Sequence, residues 1–240
     1  MTAILFSALA ALGGGLVMGV TGFCAGMLIM MVLPVLYSLT ESAALTGIVS
    51  TVLNAQMAIR YWKHIHFKSL VVPTIAYMIL CALLIRFSTE IDQSLIQKGF
   101  GVFLICLCIY YLFLQKDDHP HKKSLALSIL CIAFSAVFDS FFSIGGPLLV
   151  VYFMARTDST KAYMGTIQAF FFINYAYSSV VRVINGILLP SHLAVTLVCS
   201  VAVLLGGVIA QKLVNRLDDQ MVRKLIYIMI GVSGVLNLIK

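Results

Sequence analysis

Two glycine-rich stretches hold the residues best placed for chemistry. The first, residues 13–34, reads GGGLVMGVTGFCAGMLIMMVLP, with Gly15 and Gly19, then Gly22 and Gly26, four residues apart. Small residues at that spacing let helices approach closely in a membrane. They equally allow a helix to break at residues 21–23. A break leaves the first N–H groups of the next helix unpartnered at the positive end of its dipole, which is a site for a small anion. The second stretch, residues 140–147, reads SFFSIGGP. Gly145, Gly146 and Pro147 end one helix and start another, and proline suits a first helical turn. Two such helix starts pointing at one cavity favour an anion over a cation. The expected substrate-binding set is Thr21, Gly22, Phe23, Cys24, Ser143, Gly145 and Gly146.

Polar side chains in the middle helices add to this set. Ser50, Thr51 and Asn54 lie on one, and Gln168 and Asn174, with Tyr175 and Tyr177 nearby, on another. Ser50 and Asn54 are four apart and share a face. Such groups can hydrogen-bond an oxyanion or bind helices together. Asn54 and Gln168 are open to both readings and join the set as supporting residues. The others read more simply as helix contacts.

Asp139, at the edge of the second break, is an ionisable group within a membrane segment and so a functional candidate, here for carrying a coupling proton. An N-cap or interfacial aspartate is the plainer alternative. Arg182 could pair with substrate, but snorkelling to the interface is more economical. His64, His66, His119 and His121 form two HxH pairs in basic loops without rigid acidic or cysteine partners. They read as solvated histidines, with no metal site. The six cysteines sit in apolar stretches without a CxxC and read as small core residues. No nucleophile–base pair, phosphate loop or metal constellation is present, so neither an enzyme nor a cofactor is expected.

The elements that must position these residues are membrane helices. Of 240 residues, 61% are hydrophobic and 10% charged, against about 25% charged in soluble domains, and the mean hydropathy is +1.05. In lipid only helices and closed barrels satisfy their backbones. The apolar runs are long and continuous, where barrel strands alternate, so the expected class is an all-α polytopic membrane protein. The net charge of +7 comes without a basic, aromatic-rich tract, so nucleic acid is not an expected partner. The expected partners are the lipid bilayer and a small anionic substrate, and a homo-oligomer is compatible with both.

Ten apolar segments are expected, at 3–20, 24–39, 42–61, 69–87, 94–114, 124–139, 144–154, 162–189, 192–213 and 221–239. Those at 24–39 and 144–154 are too short to span comfortably, since a crossing takes about 20 residues. They read as broken or half-length helices. The polar run QKDDHPHKK divides the chain into a first membrane repeat (1–114), a cytoplasmic linker (115–123) and a second membrane repeat (124–240). IDQSLIQK at 91–98 resembles LDDQMVRK at 217–224, and the turn at 21–24 takes the place of that at 142–145. Five segments per half predict inverted repeats. With the N-terminus outside, twelve basic residues fall in cytoplasmic loops and four (Arg86, Lys98, Arg182, Lys240) outside, as the positive-inside rule asks. Both termini are then expected to be periplasmic.

Gly19-Val-Thr-Gly-Phe-Cys24, followed by Pro34, resembles the first glycine-rich motif of the TauE/SafE family, the sulfite exporter-like and toluene-sulfonate uptake permeases. Ile144-Gly-Gly-Pro-Leu-Leu-Val-Val-Tyr152 resembles its second motif, and residues 161–189 follow a similar pattern. The resemblance implies a transporter in the bacterial inner membrane for small sulfur-containing anions, such as sulfite or sulfonates like sulfoacetate, with both motifs lining its path. Cys24, Ser140 and Ser143 stand where the family commonly has glycine, which bears on the particular substrate more than on the fold. A membrane-embedded enzyme subunit would need more buried histidines or carboxylates than Asp139 alone. A scaffold or assembly subunit, or a carrier of a different small solute, is the remaining alternative.

Overall fold

A computed structural model describes residues 2–87, 125–143, 145–187 and 190–214, with single helical residues between 98 and 109 and between 221 and 238. Every regular element among the described residues is a helix: α1 (Thr2–Thr21), α2 (Ala25–Val32), α3 (Leu39–Arg60), α4 (Phe67–Phe87), α5 (Leu125–Phe142), α6 (Gly146–Met154), α7 (Thr160–Ile184) and α8 (Leu193–Val214), with single 3-10 turns at Leu33–Val35, Trp62–His64 and Pro190–His192. Among these, α1, α3, α4, α7 and α8 are long and apolar enough to cross a membrane. The linker at 115–123 and His119 and His121 lie outside the described residues, as do nearly all of 88–114 and 215–240 with the paired segments 91–98 and 217–224.

The expected short segments are short helices. α2 has 8 residues and α6 has 9, so each is about 12–14 Å long, under half the roughly 30 Å hydrocarbon thickness. Several boundaries differ from expectation: α3 starts three residues early, at Leu39, and the short segment expected to reach 39 is helical only to Val35. α5 continues past Asp139 to Phe142, and the carbonyls of that last turn find partners in the Ser143 N–H and Arg182. α7 stops at Ile184, where Asn185 caps the helix and Gly186 takes φ +70°.

Local chemistry explains the starts. Ser38 and Glu41 form a reciprocal capping box at the head of α3. The Ser159 hydroxyl accepts from the Ala162 N–H at the head of α7 (3.2 Å). Within α4 one face is buried (Leu70, Thr74, Tyr77, Cys81, Ile85) and the other exposes Val71, Ile75, Ile79 and Leu83. An apolar stripe of that length left uncovered is what a lipid-facing helix presents.

Paired contacts set the helix directions. Glu41 at the head of α3 meets His192 just before α8 (3.6 Å), and Arg60 at the foot of α3 donates to Gln211 near the foot of α8 (2.6 Å). α3 and α8 are therefore parallel. The His66 N–H donates to Thr166 Oγ1 (2.9 Å), so α7 starts at the Arg60 end and runs antiparallel to α3. α1 runs with α8: added Cβ atoms on Gly15 and Gly19 would meet Val203 and Ala210, and one on Gly206 would meet Leu12. α5 runs the opposite way, from Ser128 beside Arg156 to Ser143 beside Ala43, and packs on α4. α2 and α6 each turn back beside the long helix before them.

Cys24, Cys81, Cys131 and Cys199 are buried as expected, but Cys106 is exposed and Cys108 half-buried. Cys106 faces outward, while Cys108 packs against the edge of the core beside Gly231.

Candidate functional site

α1 ends on Gly22, whose N–H donates to the Met18 carbonyl (2.7 Å) and whose φ is +83°. α5 ends the same way on Ser143, whose N–H donates to the Asp139 carbonyl (2.8 Å), with φ +52°. The left-handed conformation lets a terminal N–H reach back to the last turn, and glycine adopts it without steric cost. Serine there is compensated by its hydroxyl, which donates to the Ala43 carbonyl of α3 (2.8 Å).

The carbonyls exposed at both helix ends are held largely by α7. The Tyr163 hydroxyl donates to the Thr21 carbonyl (3.1 Å) and Gln168 Nε2 to the Gly22 carbonyl (2.9 Å). Further along α7, Arg182 Nη2 donates to the Ser140 carbonyl (2.9 Å) and lies 3.3 Å from that of Asp139. The Thr21 hydroxyl stays local, 2.9 Å from the Val17 and Phe23 carbonyls. The two turns touch: an added Cβ on Gly26 would stand 2.5 Å from the Ser143 carbonyl oxygen, and one on Gly146 3.1 Å from the Phe23 Cβ.

Between the turns is a small cavity, of about 20 Å³, partly open to the outside. Its wall is Met18 and residues 23–27 from the first turn, Ser143 and Gly146 from the second, Ser50 of α3, and Phe171 and Tyr175 of α7. Ala25 and Gly146 are the first residues of α2 and α6, so both short helices begin at the cavity, where their leading N–H groups have no intrahelical acceptor. The Ser50 hydroxyl, in the same wall, is buried without a hydrogen-bond partner. Donors of this kind can replace the hydration of a small anion.

Of the candidates expected from sequence, Phe23, Cys24, Ser143 and Gly146 line this cavity. Thr21, Gly22 and Gln168 stand behind it and shape the first turn. Gly145 packs against the Tyr77 hydroxyl and the Ser135 carbonyl. Asn54 is fully buried one turn from Ser50, and neither amide atom has a partner. Ser50 and Tyr175, which read more simply as helix contacts, are cavity wall. Met18 and Phe171 carried no signal, since each is an apolar residue in an apolar helix.

Two expectations about charge are corrected. Arg182 does not snorkel: it is 2% exposed, because α7 turns it inward onto the end of α5. Asp139 is not an N-cap: it lies in the last turn of α5, buried at 1% exposure. Tyr77, Tyr175, Arg182 and the Gly145 N–H surround its carboxyl group, and Cys81 Sγ is 4.0 Å from Oδ2. Among the described residues the sole ion pair is His192 with Glu41, so Arg182 touches Asp139 through its backbone carbonyl and makes no ion pair with its carboxylate. His64 and His66 belong to no cluster of three metal-ligating side chains among the described residues.

Searches of the curated proteins and of the solved structures found no match. A family model described as sulfite exporter TauE/SafE matches residues 7–236, almost the whole chain. Matched over that length and folded as a bundle of apolar helices, the chain belongs to the TauE/SafE family of sulfite exporter-like membrane transporters.

Proposed function

We propose that the protein is a secondary transporter for a small sulfur-containing anion, such as sulfite or an organosulfonate, and that the anion binds in the cavity between the two turns. The observation that carries this is the meeting of two helix starts and the unpartnered Ser50 hydroxyl in one cavity wall. Phe23, Cys24, Ser143 and Gly146 form the contact surface, with Gln168, Thr21, Gly22 and Gly145 holding its shape and Asn54 next along α3. Asp139 serves as the coupling carboxyl.

On this reading the halves are inverted repeats, 1–114 and 124–240, about a cytoplasmic linker. The opposite directions of α1 and α5 support it, as does the match between the pair α1 with α8 and the pair α5 with α4. Sites between such repeats are a common transporter plan. The basic residues at the Arg60 end, joined there by Arg156, Lys161 and Lys212, make that end cytoplasmic and both termini periplasmic, in a bacterial inner membrane.

The test is thermal stability of the detergent-purified protein against sulfite, thiosulfate, sulfoacetate, sulfate, phosphate and acetate. A ligand at about 100 times its dissociation constant stabilises by roughly 2.7 kcal/mol. A shift selective for sulfite or a sulfonate, weakened about tenfold in affinity by Ser50→Ala, supports the reading, since a hydrogen bond to a charged group contributes about 1.5–3 kcal/mol. No shift with any of the six ions overturns the anion site and turns attention to a scaffold role or another solute.

A further inference from the structure

A polar seam leads from the cavity toward the end of the bundle that holds Glu41. On α3, Thr46 and Ser50 are one turn apart and share a face, as do Tyr175, Ser179 and Arg182 on the facing helix α7. Ser50 and Tyr175 are cavity wall. Ser143 Oγ and Ser179 Oγ each lie 3.8 Å from where a Cβ on Gly47 would stand, so the seam continues past the second turn. Thr46 Oγ1, Ser50 Oγ and Ser179 Oγ are all buried without partners. Arg182 ends the row. Its Nη2 is committed to the end of α5, while Nε and Nη1 have no partner. A buried guanidinium with donors unused is costly unless another group takes them up.

Asp139 is the nearby opposite charge. Tyr77 and Cys81 face it from α4, Tyr175 and Arg182 from α7, and the Gly145 N–H from the second turn; its Oδ1 has no partner. With both ionised, Arg182 and Asp139 cancel. An anion arriving at Arg182 would leave one negative charge uncompensated in low-dielectric surroundings, where such charges are expensive. One proton delivered from water to the Asp139 carboxylate restores the balance. An O–H bond forms on the carboxyl, Arg182 keeps its charge, and the proton leaves when the anion does.

We infer that Arg182 is a second station for the transported anion, reached along the α3–α7 seam, and that Asp139 takes up one proton as the anion docks there. This rests on the anion-transport reading above and assigns that site its counter-charge and its coupling.

The test uses the full chain in detergent. Stabilisation by sulfite and by sulfoacetate is measured at roughly pH 6 and pH 8 for the wild type and for Arg182→Gln, Arg182→Lys and Asp139→Asn. The wild type should bind more tightly at the lower pH. Asp139→Asn should bind at both and lose its share of the pH difference; any titration of the anion itself is common to both proteins. Arg182→Gln should lose at least about tenfold in affinity, with Arg182→Lys recovering part of it. Wild-type affinity in Arg182→Gln, or an unchanged pH difference in Asp139→Asn, overturns the inference while leaving the cavity reading in place. If Arg182→Gln does not fold, the Lys and Asn variants decide: Arg182→Lys must bind, and Asp139→Asn must lose the pH difference. Absence of any shift in the wild type overturns both readings together.

Discussion

Gln168 of α7 donates to the carbonyl oxygen of Gly22 across 2.9 Å, tying a helix packed behind the cavity to the turn that forms its wall. That carbonyl is at the end of α1, where no further helix continues to satisfy it. Gln168→Ala should therefore cost about 1–3 kcal/mol, the usual penalty for leaving a buried acceptor unmade. A lower unfolding midpoint in detergent checks this. Gln168→Glu should be no better, because it replaces the donor with an acceptor.

Gly26 and Gly13 provide a matched pair. A Cβ on Gly26 would stand 2.5 Å from the Ser143 carbonyl oxygen, whereas one on Gly13 meets nothing within 4 Å. Gly26→Ala should force the two turns apart, with a stability loss of about 1–3 kcal/mol and loss of anion binding. Gly13→Ala should be neutral or stabilising by up to roughly 1 kcal/mol, from helix propensity alone. Thermal melts of the two variants side by side separate crowding at the turn from a general intolerance of side chains in the glycine-rich stretch 13–34.

Ser50→Ala separates binding from folding in the other direction. The hydroxyl it removes is buried and unpartnered, so its loss should leave stability unchanged within about 0.5 kcal/mol or raise it. Unimpaired melting combined with weaker sulfite binding is the expected result. A large drop in stability would mean that the hydroxyl is structural.

Gly22 and Ser143 share a left-handed conformation but differ in what they tolerate. At Gly22 an added Cβ would also meet Met164 Sδ at 2.9 Å and Tyr163 Cε1 at 3.1 Å. Gly22→Ala should destabilise by about 1–2 kcal/mol from backbone strain before any crowding is counted. Ser143→Gly should relieve strain of similar size yet give up the hydrogen bond to Ala43, so the two nearly cancel. Melting temperatures of these two variants check the asymmetry.

The short helices were legible because glycine and proline punctuate them: Gly22 before α2, and Gly145, Gly146 and Pro147 at the start of α6. The membrane class followed from composition, and the alternation of long and short helices from the spacing of the breaks. The fate of the polar residues was not legible. An arginine late in an apolar segment reads alike whether it snorkels or turns inward, and only the end of α5 coming within hydrogen-bond reach decides for Arg182. Ser50 and Asn54 share a face, yet the cavity reaches one and not the other, which depends on where the first turn comes to rest. Met18 and Phe171 belong to the wall by shape alone, which leaves no mark on residue type.

One helix, α7, grips both ends of the site, with Tyr163 and Gln168 on the close of α1 and Arg182 on the close of α5. It thus acts as a gauge bar. The fourteen-residue separation of Gln168 and Arg182 fixes a spacing of about 21 Å and a relative orientation between the two grips. Inserting or deleting one residue between them would swing one grip by about 100° relative to the other, so both could not be kept. Changes of residue type along that stretch can be absorbed locally, but changes of its length cannot.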